Sequence, residues 1–264
     1  MHKREGFTLV ELLVVIAIIA LLMSILMPAL ARVRKQAKSV ICLSNLKQWA
    51  MVFSAYTSDY DGFFCGGWQG RPGATGQSFD SSNWWTSATR SYYKDAEILC
   101  CPMATKPYLD GGMPPLGAWP GQGYLGLEDD DVGSYGLNGW VEDNQGQEWG
   151  LNPNKRWRHC NVSGTDEIPL LLGNVWVDGW PEYYDEPPQT PVVVREGEYN
   201  YMQRFCMDRH EGRVGGLFMD SSVRLIDLKE LWVLRWHRKY DMYYPPPTWP
   251  EWMKRFPDYA LETK

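Results

Sequence analysis

Apolar and polar positions divide the chain near residue 60. After a charged lead, His2 to Glu5, residues 7–30 are almost entirely apolar, broken only by Thr8, Glu11, Ser24 and Pro28. As a helix this run of 24 residues spans about 36 Å, and about 20 such residues cross a bilayer. The spacing then changes. Leu30, Val33, Ala37, Val40, Leu43, Leu46, Ala50, Phe53 and Tyr56 follow steps of three and four, with Arg32, Arg34, Lys35, Lys38, Asn45 and Gln48 on the other faces. This pattern predicts one helix over 7–61, transmembrane over 7–30 and amphipathic over 31–61. Asp61-Gly62 ends it, glycine being favoured just past a helix C-terminus.

Two features separate the apolar run from a secretory signal peptide. It is longer than such a core, and no A-x-A-like site closes it, because Met27-Pro28-Ala29-Leu30 leads directly into the basic segment. Glu11, the fifth residue of the run, places a carboxylate within the membrane segment. A charge there is costly unless paired, so it marks function.

The stretch from Gly6-Phe7-Thr8-Leu9-Val10-Glu11 to Ala20 resembles the class III signal of type IV pilins and type II secretion pseudopilins. The resemblance implies cleavage after Gly6 by a prepilin peptidase, which makes residues 1–6 a leader, and N-methylation of Phe7. It further implies that Glu11 pairs with the N-terminal amine of a neighbouring subunit, and that Pro28 sits where family members kink or locally melt the helix. Cys42-Leu43-Ser44-Asn45-Leu46-Lys47-Gln48 and Asp59-Tyr60-Asp61-Gly62 resemble a pseudopilin-like group of planctomycete- and verrucomicrobium-type bacteria. His210 and Asp220, nine residues between them, resemble that group's C-terminal H-x9-DG signature, with Ser221 in place of its glycine.

Beyond Gly62 the texture is aromatic and rich in Gly and Pro. Residues 83–93 predict a short helix capped by Ser82 or Asn83. Residues 134–138, 168–177 and 192–195 predict strands, and 66–77 and 111–123 predict loops. Residues 214–219 and 223–226 flank Asp220-Ser221-Ser222 as a hairpin, although serine suits a primed two-residue turn poorly. Asp227 to Glu230 predicts a capping box opening a helix to about Lys239, and the Pro-rich end from Tyr243 predicts an extended strap. No repeat or linker is evident, so residues 62–264 form one head.

Charge sharpens this division. Residues 1–60 hold seven Lys/Arg and three acids, +4; the total of −6 leaves −10 for the rest, which argues against nucleic-acid binding. Six cysteines in an exported head suit disulfides, buried thiols or a metal. Cys100-Cys101-Pro102 is a poor zinc half-site, because no C-x-x-C occurs and the four His are scattered. His210 and Asp220 are read as orienting a turn and a strand end in preference to a catalytic or metal pair. Glu128 with Asp129, Asp130 and Asp131, or Asp59 with Asp61, are weak calcium candidates; otherwise no cofactor is expected. Fourteen Trp serve either a core or a sugar-stacking surface.

The expectation is α+β and pilin-like: a long N-terminal helix packed on a small antiparallel sheet head with long loops. The function expected is a non-enzymatic prepilin-type subunit of a type II secretion pseudopilus or type IV pilus-like filament. Its partners are a prepilin peptidase/methylase, other pseudopilins and an inner-membrane assembly platform. It would cross the bacterial inner membrane once, N-terminus cytoplasmic and head periplasmic. The alternative is a membrane- or filament-displayed carbohydrate-binding adhesin.

Overall fold

A computed structural model of the protein describes residues 9–67, 84–104, 106–107, 112, 115–121, 127, 131–144, 151–191 and 200–259. Helix α1 (Leu9–Asp59) runs for 51 residues, about 76 Å. Pro28 lies inside it and the helix continues through, although proline brings no N–H to bond back one turn. At the far end Asp61 and Gly62 take left-handed angles, φ 52° and 85°. The Gly62 N–H returns to the Thr57 carbonyl at 2.7 Å, the bond that closes a Schellman-type terminus. A side chain at Gly62 would also meet the His159 ring at 2.3 Å.

The outer half of α1 buries Cys42, Leu46, Trp49, Phe53 and Tyr56, spaced by four and three residues along one face. Leu46, Ala50, Phe53 and Tyr56 pack as their periodicity predicts. Leu30, Val33, Ala37 and Val40 do not, since all four are exposed. Burial starts at Lys38; below it, among the described residues, the head reaches α1 through the exposed Lys35–Glu211 pair. Asn45, expected on the polar side, faces the head and donates to the Cys100 carbonyl at 3.1 Å.

The head is built on two sheets. β1 (Lys106–Pro107), β2 (Gly117–Pro120) and β3 (Val132–Gly133) lie in that order. β4 (Tyr135–Asn138), β5 (Pro169–Gly173), β6 (Asp178–Gly179), β7 (Arg213–Phe218) and β8 (Val223–Asp227) form the larger sheet, ordered β6-β4-β5-β7-β8. Pairing is antiparallel except for the short pairs β1–β2 and β4–β6, so the architecture is α+β with mixed sheets and long loops. Helix α1 lies against β7 and β8. Gly215 makes the approach possible: a Cβ there would stand 2.9 Å from Cys42 Sγ and 3.1 Å from Leu46.

Strands at 134–138 and within 168–177 form as predicted, whereas 192–195 lie outside the described residues. Two helices differ from expectation. Residues Trp85–Ala88 form α2, and Arg90–Tyr92 add a 3-10 turn. Trp84 holds the cap position without a side-chain bond, and Ser82 and Asn83 are outside the described residues. The capping box does not form. Asp227 makes no capping bond, and a 3-10 turn over Leu228–Val233 replaces the helix to Lys239, while Glu230 pairs with Arg224. Every residue from Leu228 to Trp232 is buried, and a turn enclosed on all sides has no solvent face for a longer amphipathic helix to present.

Tryptophan holds this loop-rich head together. Ten of the fourteen Trp are buried, and seven of these ten donate their indole N–H to backbone carbonyls. Each ring fills core volume while its N–H satisfies a carbonyl that loop structure leaves without a ladder partner. The strap from Tyr243 is fastened the same way, by Trp249 edge-on to Trp232 and by the Trp252 N–H to the Pro188 carbonyl at 2.8 Å.

Candidate functional site

Three places carry the residues that the sequence marks. The first is the lower half of α1. From Leu9 to Ala37 every residue is exposed, and the apolar ones cover the whole circumference. Such a surface is stable in lipid or against other apolar helices, not in water. Apart from the carbonyl that Pro28 leaves without a donor one turn before it, its backbone groups bond within the helix, as a membrane crossing requires. Glu11 stands in the first turn of the described helix, and Pro28 lies near the upper end of the apolar run. Gly6 and Phe7 lie outside the described residues, as do Glu128, Asp129 and Asp130. Asp131 is described, but it cannot by itself make a calcium site.

The second place is the β7–β8 hairpin. Its loop is three residues, Met219 to Ser221. The Ser221 N–H bonds the Phe218 carbonyl at 3.0 Å and the Phe218 N–H bonds the Ser222 carbonyl at 2.9 Å. Ser221 has φ 69°. A turn followed by one left-handed residue therefore replaces the two-residue primed turn, which needs a single positive φ instead of two. Asp220 shapes this turn: its carboxylate accepts the Ser222 N–H at 2.8 Å, and its own N–H reaches the Thr165 carbonyl at 3.3 Å. From α1, Lys47 donates to the Ser221 carbonyl at 2.9 Å.

His210 is at the opposite end of β7, so the two signature residues do not meet. It is buried where α1 crosses the strand. Ser39 on α1 lies 2.9 Å from its Nδ1, and the Ser39 hydroxyl lies 3.1 Å from the Lys35 carbonyl. A hydroxyl has one proton to give. The Ser39 hydroxyl can therefore bond either the Lys35 carbonyl or His210 Nδ1, and the imidazole tautomer decides which ring nitrogen carries the proton. Nε2 faces Cys101 Sγ at 3.4 Å.

The third place grows from this contact. Cys42 from α1, Cys101 from the turn after Leu99, and His210 converge; their Sγ, Sγ and Nε2 atoms all lie within 4.8 Å of one another, and all three residues are buried. The Tyr135 hydroxyl donates to Cys42 Sγ at 3.1 Å. Beside them Arg209, 2% exposed, donates to the carbonyls of Pro115, Ser134, Gly117 and Asn174. The hydrogen bond from Cys42 holds the Cys101 thiol well below the usual thiol range, with His210 and Arg209 acting in the same direction. The same hydrogen bond, together with burial, raises Cys42. All six cysteines are free thiols.

Sequence spacing hides this cluster, since Cys101 and His210 are 109 residues apart. One signal was available: Cys42 lies one helical turn before Leu46, in the same i, i+4, i+7 series as Trp49.

The model of the prokaryotic N-terminal methylation motif matches residues 1–27. Over 63 residues the chain is 38% identical to the type IV wide pilus major component PilA4 of Thermus thermophilus; the match covers 24% of this chain and 48% of that protein. The chain thus spans about half the length of the curated relative it matches. No solved structure matches it.

Proposed function

We propose, from the premise that this chain is prepilin-type and pilin-like, that it is a structural subunit cut after Gly6, methylated on Phe7 and assembled through α1 into a type II secretion pseudopilus or type IV pilus-like filament. The observation that carries this reading is the lower half of α1, exposed and apolar on all sides from Leu9 to Met27 apart from Glu11 and Ser24. In the membrane that surface meets lipid; in a filament it meets the same surface of other subunits, with each head displayed outside. The prepilin-type signal argues for an N-terminus in the cytoplasm and a head in the periplasm; under the positive-inside rule Lys3 and Arg4 favour this orientation and Arg32, Arg34, Lys35 and Lys38 oppose it. The subunit's work is then mechanical, and catalysis is not part of it. The carbohydrate-binding alternative loses its main support, because ten of the fourteen Trp are buried and so are not displayed for stacking on sugars.

Mass spectrometry of the native N-terminus tests processing. The mature chain should start at N-methyl-Phe7, and cleavage after Ala29 or Ala31 would instead return an ordinary signal peptide. Glu11→Leu tests assembly. Once the leader is removed, the Phe7 amine is a charge that needs a buried partner, and breaking such a pair costs about 3–5 kcal/mol. The variant should be processed and inserted normally yet be lost from filaments. Normal filaments from Glu11→Leu would remove the assembly role given to this residue.

A further inference from the structure

We propose that Cys42, Cys101 and His210 bind one Zn²⁺ ion, which fastens α1 to the head. This does not rest on the filament reading. Three donors with lone pairs converge in a buried space, and a cation is what such a set accommodates. The ligand types point to zinc: thiolate sulfur and imidazole nitrogen favour a borderline-soft divalent ion, whereas calcium and magnesium require oxygen. The spacing agrees. With Zn–S near ~2.3 Å and Zn–N near ~2.0 Å, the sulfur–nitrogen edge of a tetrahedron is about 3.5 Å; Cys101 Sγ and His210 Nε2 are 3.4 Å apart.

The surroundings agree as well. With Nε2 on the metal, Nδ1 carries the ring proton, and the Ser39 hydroxyl stands 2.9 Å from it to accept, as outer partners of zinc-bound imidazoles do. The Tyr135 hydroxyl donates to Cys42 Sγ and steadies it as a thiolate. Binding releases the thiol protons of the ligands. Two thiolates, one neutral imidazole and Zn²⁺ sum to zero, so the neighbouring Arg209 guanidinium, held by four carbonyls, meets no net positive charge. A disulfide between Cys42 and Cys101 is the competing arrangement. It would use the two sulfurs and give no role to the buried imidazole nitrogen 3.4 Å from Cys101 Sγ. Two clefts flank the cluster, one of about 440 Å³ lined by Cys100 and Cys101 and one of about 530 Å³ lined by Ser39 and His210, so an ion has a route in and three protein ligands leave room for a water.

The test uses the full chain, extracted from membranes in detergent without chelator. Elemental analysis should find about one zinc per chain, with Cys42 and Cys101 protected from thiol reagents until a chelator is added. Co²⁺ added after chelation should give a thiolate-to-metal charge-transfer band. Cys42→Ser, Cys101→Ser and His210→Gln should each lower metal content at least tenfold. Ser39→Ala, which removes only the orienting group, should weaken Co²⁺ binding by about 10–100-fold, and Cys160→Ser should change nothing. A ligand variant can also lose metal by failing to fold, so the unaltered chain decides. Metal-free protein that gives no cobalt band overturns the proposal, and so does peptide mapping that finds a Cys42–Cys101 disulfide as the native state.

Discussion

The two halves of α1 obey different rules within one continuous helix. From Leu9 to Ala37 the helix is exposed throughout and has no preferred side. From Lys38 to Asp59 it follows a narrow stripe through Cys42, Leu46, Trp49, Phe53 and Tyr56. The lower half is specified by composition: any apolar residue serves, because lipid or a neighbouring helix makes few demands on shape. The upper half is specified by position, since each side chain meets one fixed neighbour. Trp49 alone has Trp85 and Tyr93 edge-on at 5.0 Å and gives its N–H to the Ile98 carbonyl at 2.7 Å. The contrast predicts that substitutions in the two halves fail in different assays.

The largest effect should come from Trp49→Ala. Truncating a fully buried aromatic costs about 3–5 kcal/mol, and the lost indole also leaves the Ile98 carbonyl unpaired. Denaturant unfolding in detergent, followed by far-UV circular dichroism, should show the head's midpoint falling steeply. Ile16→Ala in the lower half should leave that midpoint within about 0.5 kcal/mol. Equal losses from both would erase the distinction.

Acidity acts on the head alone. Burial pushes the Asp185 carboxyl up to about 7, and it accepts the Glu182 and Met202 N–H groups at 3.1 and 3.0 Å. A carboxyl raised in the folded state favours folding while protonated, below its unfolded value near ~3.9. That advantage fades as the pH rises to about 7 and is gone above it. Asp185→Asn should therefore gain on the unaltered head between pH 4 and pH 8, by something on the order of 3 kcal/mol. Parallel unfolding curves at both pH values would show that Asp185 is not the source.

Gly215→Ala probes the seam itself. The new methyl would sit 2.9 Å from Cys42 Sγ, and overpacking of this kind costs about 1–3 kcal/mol. The loss should be read in the unfolding midpoint, and the smaller partner Leu46→Val should recover part of it in the double variant. The smallest effect belongs to Lys35→Ala. Its pairing with Glu211 spans 3.2 Å between side chains 57% and 69% exposed, and a solvated pair of this kind contributes about 0–1 kcal/mol. A large loss here would mean that docking extends further down α1 than the buried stripe does.

How much of this could be read from the chain follows from the range of each signal. The apolar run, the Asp61-Gly62 stop and the β7–β8 hairpin are local, written within a few residues of where they act. The phase of the docked stripe was half legible: Leu46, Phe53 and Tyr56 stand out, but Val40 is as apolar as Cys42, and only the edge of the head decides between them. The 3-10 turn after Asp227 was hidden because burial from every side overrides capping chemistry. The Cys42–Cys101–His210 cluster was the least legible, since its members come from a helix, a turn and a strand entry, and no spacing rule joins those.

The bonds across the seam have a consequence under load. Asn45, Lys47 and Trp49 donate from one short stretch of α1 to the carbonyls of Cys100, Ser221 and Ile98. A pull on the lower end of α1 therefore shears these contacts together, and does not peel them one at a time. Many weak bonds yielding at once resist far more force than the same bonds opened in sequence.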